Sequence, residues 1–339
     1  MSVDATFPPI PYRALKSIAL AMPNGSVTPV LGFDIEAVPS NRGETRVWRV
    51  KAVNSPAYWY VKRFCHPTDF QRYLKGLYIL GQDEPGSYLC PIRCAGQDDL
   101  YRLIATYPLQ GTSIKTLFVR STRFDKLPWW LCSDLPTLAR RIGLGLRAFW
   151  KHRCDSHSDL YDFSPSATAE RMLRKCMRLH EIMPESWERL QAVVTPYAQR
   201  LGLIDNLDCS FLLGDLALDN LLLCNDEQLG VFDLDDIGIG DWRYDVACLI
   251  QRISEAEACF YYSRSRVRHF QRLLLDELGL AVNDPILAIY RIEFYLDMLW
   301  SARHCQDDSG LPRSRFSNQV VEQMLDRHLQ SLGRKDTVL

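Results

Sequence analysis

The stretch that most constrains this 339-residue chain is residues 211–245, FLLGDLALDNLLLCNDEQLGVFDLDDIGIGDWRYD. It reads as strand, polar turn, strand, with acidic and amide side chains at the strand ends. Asp215 follows an apolar run, so its carboxylate is expected on a loop at the end of a buried strand, with Asn220 five positions later. Residues 221–224 are apolar, Asn225 and Asp226 supply turn chemistry, and residues 229–232 return as a second strand ending at Asp233. Such a hairpin brings Asp233 back beside Asn220. A carboxylate and an amide side by side are the oxygen ligands that a hard Mg²⁺ ion takes while it holds nucleotide phosphates. Asp215 is then left to accept the proton of an attacking hydroxyl.

The interval from Asp215 to Asn220 equals that between base and amide in the kinase catalytic loop H-R-D-x-x-x-x-N. The stretch as a whole resembles the aminoglycoside phosphotransferase and choline kinase family of small-molecule kinases, whose signature is H-G-D-x-x-x-x-N followed by I-D-x-x-D-A-x-x-G-D-x-x-x-D. Here the first motif stands as Leu213-Gly214-Asp215 with Asn220. The second runs from Phe232 and Asp233 through Leu234, Asp235, Asp236, Ile237, Gly238, Ile239 and Gly240 to Asp241, and Asp245 closes it. Leu213 replaces the histidine, which by resemblance supports the loop and is not the base. The resemblance implies an α+β, bilobal, protein-kinase-like fold with a small antiparallel-sheet N-lobe at 1–110 and a large, mainly helical C-lobe at 111–339. It also implies ATP and Mg²⁺ as cofactors and a small-molecule hydroxyl acceptor such as a sugar, an amino alcohol or an aminoglycoside. Asp215 is the implied base and Asn220 and Asp233 the metal ligands. Asp235 or Asp236 would help from the outer shell, Asp241 would border the acceptor, and Asp245 would cap backbone or brace the catalytic loop.

Composition is that of an ordinary globular chain, 47% hydrophobic and 24% charged, with a net charge of −1. That balance gives no reason to expect nucleic acid or an anionic membrane as the main partner. The eleven cysteines form no C-x-x-C pair, and Cys90 and Cys94 lack a matching second pair for zinc. Their scatter among apolar neighbours fits a reducing compartment. With no run of membrane-span length and no secretory leader pattern at the amino terminus, a cytoplasmic location is expected.

Ahead of the central stretch, residues 1–26 read as a proline-containing lead-in packed on the small lobe, and strand patterns follow at 27–38, 45–53 and 57–64. The polar turn 39–44 between the first two sits where a nucleotide-covering loop belongs. It has one glycine, Gly43, yet Ser40, Asn41 and Val47 come close to the S-x-N-x-x-y-x-V form of the resembled family. Lys62 shares a strand face with Tyr60 and Phe64, which suits an amine aimed at phosphates, and by resemblance it is the lysine that reaches them. Residues 66–80 read as a helix that in kinases supplies a glutamate to orient this lysine. None is present: Asp69 substitutes from another height, or the lysine is held otherwise, or transfer is slow. Thr106 and Tyr107 end a strand at the connector whose backbone, by resemblance, meets adenine.

Helical patterns are expected at 112–119, 133–152, 167–183, 185–201, from 245 to 253, and at 264–278, 284–304 and 317–332. Residues 157–166 imitate a catalytic loop but lack the asparagine at the required offset and read as a loop. Tyr290, Glu293, Asp297, Trp300 and His304 step by three and four along one helix face. Related kinases hold a cationic acceptor with such an acidic and aromatic stripe, while a partly solvated face capping the core has the same pattern. Two rival readings stand beside a small-molecule kinase. One is a degenerate kinase fold that binds nucleotide or a partner without turnover. The other is a protein kinase, which the missing D-F-G and A-P-E disfavour.

Overall fold

The computed structural model describes residues 8–20, 32–38, 46–82, 88–123, 134–152, 159–204, 209–224, 228–258, 261–304 and 318–333. By their internal contacts these form two compact units that interleave along the chain. The first comprises Met1–Lys115, His152–Leu160 and Asp219–Ile237, and the second Thr116–Lys151, Tyr161–Leu218 and Gly238–Leu339. The fold is α+β and kinase-like, with an antiparallel sheet in the amino-terminal part and helices dominating the rest.

In the first unit, β1 (Phe33–Val38), β2 (Arg46–Ala52), β3 (Tyr58–Arg63), β5 (Cys94–Asp98) and β6 (Leu103–Thr106) make an antiparallel sheet in the order β1-β2-β3-β6-β5. Alternation decides its two faces. Trp48, Val50, Trp59, Val61, Leu103 and Ala105 point to one side and pack with Ile10, Leu15 and Ile18 from the lead-in and α1 (Tyr12–Leu20). Trp59 donates its indole N–H to the Pro8 carbonyl at 3.1 Å, so the lead-in is fastened as well as buried. α2 (Pro67–Leu80) begins on a proline, which suits the first helical turn, and its Phe70 and Tyr73 rings pack on Phe64.

A second sheet in this unit was less visible in the sequence. β4 (Leu89–Pro91), β7 (Gly111–Ser113), β10 (Leu221–Cys224) and β11 (Leu229–Val231) pair in the order β4-β11-β10-β7. The hairpin β10–β11 is the expected one, in the register Leu221↔Val231. β4 and β7 are three-residue strands too short for a periodic signal, and residues 112 and 113, expected to open a helix, are strand instead.

The second unit is helical: α3 (Ile114–Thr122, which begins in the first unit), α4 (Asp134–Trp150), α5 (Pro165–Ile182), α6 (Pro184–Gly202), α7 (Arg243–Ala258), α8 (Arg264–Leu278), α9 (Pro285–His304) and α10 (Asn318–Gly333). Helix starts follow local chemistry. Ser164 accepts a hydrogen bond from the Ala167 amide with Pro165 opening α5, and Gly279 ends α8 with φ 72°. No helix among the described residues is long and apolar enough to cross a membrane.

Among these helices lies a small sheet, β8 (Tyr161–Phe163), β12 (Gly238–Gly240) and β9 (Ser210–Leu212), in the order β8-β12-β9. The expected loop at 157–166 is therefore corrected in part: 161–163 is a strand, paired parallel to β12. The glycines of β12 are required by closeness. A Cβ on Gly240 would stand 2.3 Å from the Phe163 carbonyl carbon and 2.4 Å from its oxygen, and one on Gly238 would stand 2.4 Å from the Tyr161 oxygen. Backbone cannot yield as a side-chain tip can, so Gly240→Ala is expected to lower stability by about 1–3 kcal/mol, the usual range for overpacking, measured as a denaturation midpoint.

Candidate active site

The first unit gathers one cluster of charge. On β3 the Lys62 side chain, 14% exposed, places Nζ 2.8 Å from Asp233 Oδ1 and 2.5 Å from Asp235 Oδ1. The ammonium also lies 5.0 Å from the Tyr73 ring centroid and 5.7 Å from that of Phe64. Burial by itself would lower the Lys62 pKa, but the negative charge available at Tyr73, Asp233 and Asp235 outweighs it and the net shift is upward. Lys62 is therefore a fixed cation.

The acids reach it by way of the hairpin. The Phe232 amide donates to the Asn220 carbonyl at 3.2 Å, just past the last ladder pair, so Asn220 lies opposite the residue that precedes Asp233. Asp233 has φ 64°, a left-handed conformation that aspartate tolerates better than most side chains. The chain turns there and delivers Asp235, 9% exposed, to the same lysine. Half-buried Asp236 follows in the turn.

Of the three ways left open for the lysine, the geometry is the second. Asp69 does not reach Lys62; it pairs with Arg72 on its own helix at 2.9 Å. Arg72 in turn donates to the Asp159 carbonyl at 3.0 Å and the Asp235 carbonyl at 3.3 Å, so α2 braces the loop that carries the lysine's partner. Thr106 is buried at the end of β6, and the Tyr107 N–H is committed to the Arg93 carbonyl at 3.0 Å. Ser40, Asn41 and Gly43 lie outside the described residues.

The second unit builds the loop that carries Asp215. β9 is buried throughout, and Leu213, in the place of the family's histidine, is 2% exposed and continues the core. Gly214 follows with φ 75°, a conformation costly for any residue with a Cβ. Asp245, in the first turn of α7 and fully buried, holds this turn from below. Its Oδ2 accepts from the Leu213 amide at 3.0 Å and its Oδ1 from the Gly214 amide at 2.9 Å, while the Trp150 indole donates to Oδ2 at 3.0 Å. Asp215 then projects with its side chain 35% exposed, and Oδ1 lies 3.3 Å from Arg252 Nη2 and 3.9 Å from Cys248 Sγ.

Asp241 and Glu293 sit deeper. Asp241, 2% exposed, accepts from Arg243 Nε at 2.9 and 3.0 Å and from the Tyr290 hydroxyl at 3.0 Å. Glu293 is fully buried and its Oε1 receives Arg171 Nε at 3.0 Å and Lys175 Nζ at 2.8 Å. Lys175 also reaches Asp297 Oδ2 at 2.6 Å. Arg171 lies over the Phe163 and Tyr244 rings, 4.9 and 5.4 Å from their centroids. Trp300 is half-buried further along α9. The acidic stripe expected on this helix is real, but cations from α5 meet its charge.

Three basic residues near these acids, Arg171, Lys175 and Arg252, are not among the candidates named from the sequence. Arg171 and Lys175 lie more than a hundred residues from the carboxylates they meet, and no local pattern joins them. Arg252 had a faint one, because Tyr244, Cys248 and Arg252 are spaced by four and share a face of α7 beside Asp245.

A family model described as the phosphotransferase enzyme family matches residues 43–272, well over half of the chain. The chain belongs to the phosphotransferase enzyme family. Among solved structures, a thermostable mutant of aminoglycoside phosphotransferase APH(4)-Ia is similar with a TM-score of 0.60 at 13% identity, over 95% of this chain and 100% of that one. The streptomycin–ATP ternary complex of APH(2'')-IIa gives 0.58 at 15% identity, over 98% and 99%. Choline kinase LicA from Streptococcus pneumoniae gives 0.53 at 16%, over 95% and 99%. No curated protein matches the sequence. At these identities the shared property is the phosphotransferase fold.

One buried carboxyl gives a pH test. Burial raises the Asp245 pKa to about 6, against the opposing pull of its hydrogen bonds from Leu213, Trp150 and Gly214. A folded-state pKa above the unfolded one means that the folded chain binds more protons between about pH 4 and 6. The contribution of Asp245 is thus fullest below that window and declines as pH rises through it, by roughly 1.4 kcal/mol per pH unit at most. The stability difference between wild type and Asp245→Asn, followed by urea denaturation from pH 4 to 8, is expected to shrink up to about pH 6 and then stay level.

Proposed function

We propose that this phosphotransferase moves the γ-phosphoryl group of ATP to a hydroxyl of a small molecule, with Mg²⁺ held by Asn220 and Asp233. The observation that carries the reading is the hairpin mouth, where Asn220 pairs with Phe232, the residue before Asp233, and Lys62 stands on the Asp233 carboxylate. An amide oxygen and a carboxylate fit a small hard cation whose other ligands are phosphate oxygens and water. Bound there, the ion would neutralise charge on the transferred group.

The protein's own residues supply the rest. Lys62, a fixed cation, meets the phosphates, with Asp235 keeping it in line, and residues 40–43 and the Thr106–Tyr107 backbone receive the nucleotide. Asp215 orients the acceptor hydroxyl and takes its proton. The acceptor oxygen forms a bond to the γ-phosphorus, the bond from that phosphorus to the β,γ-bridging oxygen breaks, and ADP leaves with that electron pair. Similar folds crystallised with AMP-PNP and hygromycin B, or with ATP and streptomycin, support a site of this kind. The rival reading, a nucleotide-binding relative without turnover, draws on the missing α2 acid and on the single glycine of residues 39–44. Lys62 has two acids without one from α2.

Titration with Mg·ATP and assay of ADP release test the proposal. Asp215→Asn is expected to bind Mg·ATP within about threefold of wild type while losing roughly 10²- to 10⁴-fold in turnover, the usual share of a general base. Full turnover in that variant removes Asp215 from the role. Asp233→Ala is expected to abolish Mg²⁺-dependent nucleotide binding, and unchanged affinity would reject the metal assignment.

A further inference from the structure

Besides Asp245, five described carboxylates of the second unit lie in the neighbourhood of its loop with partners in the same unit, although the Glu293 Oε2 oxygen is buried without a hydrogen bond. Asp241 has Arg243 and Tyr290, Glu293 has Arg171 and Lys175, Asp297 has Lys175, and both Asp215 and Glu255 face Arg252. The stripe on α9 and the loop of Asp215 are joined along one face of α7. Tyr244 stacks with Phe163 under the Arg171 guanidinium, Cys248 one turn on touches Asp215, and Arg252 a further turn on reaches Asp215 as well. Asp297 also feels the Arg252 charge.

Two details of this network give it a direction. Lys175 puts an ammonium between Glu293 and Asp297, at 2.8 and 2.6 Å, the position and distances that an amine of a ligand would need. A second ammonium would have to displace Lys175 from this position, because the one Glu293 oxygen without a hydrogen bond, Oε2, is buried. Arg252, in contrast, is engaged loosely. Its side chain is 48% exposed, and its contacts run to 3.3 Å with Asp215 and 3.8 Å with Glu255, against about 2.7–2.9 Å for a full charge-assisted bond. A guanidinium carries five donors, so one held at this length beside the base can receive an anionic ligand group by its fork. Arg291 adds another cation on the neighbouring helix, bonded to the neutral Gln251, Ser254 and Tyr295 side chains.

We infer that the acceptor is a hydroxyl compound bearing an anionic group, a carboxylate or a phosphate, which Arg252 holds beside Asp215, while Lys175 closes the adjacent acidic pair to amines. This rests on the kinase reading above and narrows it. The step is unchanged: the acceptor oxygen bonds to the γ-phosphorus of ATP, ADP departs, and the hydroxyl proton passes to Asp215. The anionic group takes no part in the bond changes and serves only to place the hydroxyl.

A series with one carbon framework and different charge tests it: gluconate, glucose 6-phosphate, glucose and glucosamine, with tobramycin as a polycation, each titrated calorimetrically into the 339-residue chain with and without Mg·ADP. Wild type is expected to bind gluconate or glucose 6-phosphate at least about tenfold more tightly than glucosamine, and the better of the two tells carboxylate from phosphate. Arg252→Gln should remove that preference. Lys175→Met should gain affinity for glucosamine by a similar factor, and an alkylammonium salt should raise the variant's melting temperature by refilling the pair. Equal or tighter binding of glucosamine or tobramycin by wild type overturns the inference. So does binding of none of the series, or an order that Arg252→Gln leaves unchanged in a folded protein. A separate Mg·ATP titration reads the kinase assignment alone: no nucleotide binding rejects that assignment, whereas nucleotide binding with a preference for amines rejects only the anionic acceptor.

Discussion

Asp233 and Asp235, two residues apart on one turn, can share a poorly solvated corner only because an ammonium stands between them. At these distances two carboxylates repel strongly, and a single fixed cation turns the repulsion into attraction toward one point. Lys62 does this from the penultimate position of β3, which makes the strand position of one amine decisive for the backbone path at Asp233. The same solution recurs wherever acids gather. Lys175 stands between Glu293 and Asp297, and Arg243 faces Asp241. Asp245 is the exception, carried without a cation by three N–H donors, and burial without a counter-charge is why its carboxyl holds a proton to unusually high pH.

Much of this was legible in the sequence. The hairpin followed from Asn225 and Asp226 between two apolar runs, α8 matched its expected span, and the other long helices followed the three-and-four spacing of their apolar residues to within a few positions. The bracing of the 213–214 turn by Asp245, implied by family resemblance, has direct hydrogen bonds behind it. What escaped was either too short or too distant. Strands of three residues such as β4, β7 and β8 have no period to detect, and they exist because longer neighbours offer them an edge. The helix at 67–80 showed that the usual acid was missing but not what stood in for it, since Asp235 lies 173 positions from the lysine. For the same reason the acidic stripe of α9 was visible as a stripe while its counter-charges on α5 were not.

Taken unit by unit, the acidic motif residues divide into two kinds. Asp233 and Asp215 are partly exposed, with contacts that a ligand could share or displace. Asp241, Asp245 and Glu293 are sealed and hold the frame. Spacing along a motif does not distinguish them, because depth is set by which strand or helix passes over each side chain. The cations that accompany the second kind alter what the site offers a ligand as much as the acids themselves do.

The interleaving of the two units has a consequence for how such a chain can be divided. Residues 219–237 are made late in the sequence, yet they supply β10 and β11 to the first unit and two anchors to its lysine. A fragment ending near residue 115 would carry a buried ammonium with no anion and a strand, β4, with no neighbour. Neither half is a module that recombination could trade alone, and during synthesis the amino-terminal unit must wait, incomplete, until the ribosome has passed the middle of the chain.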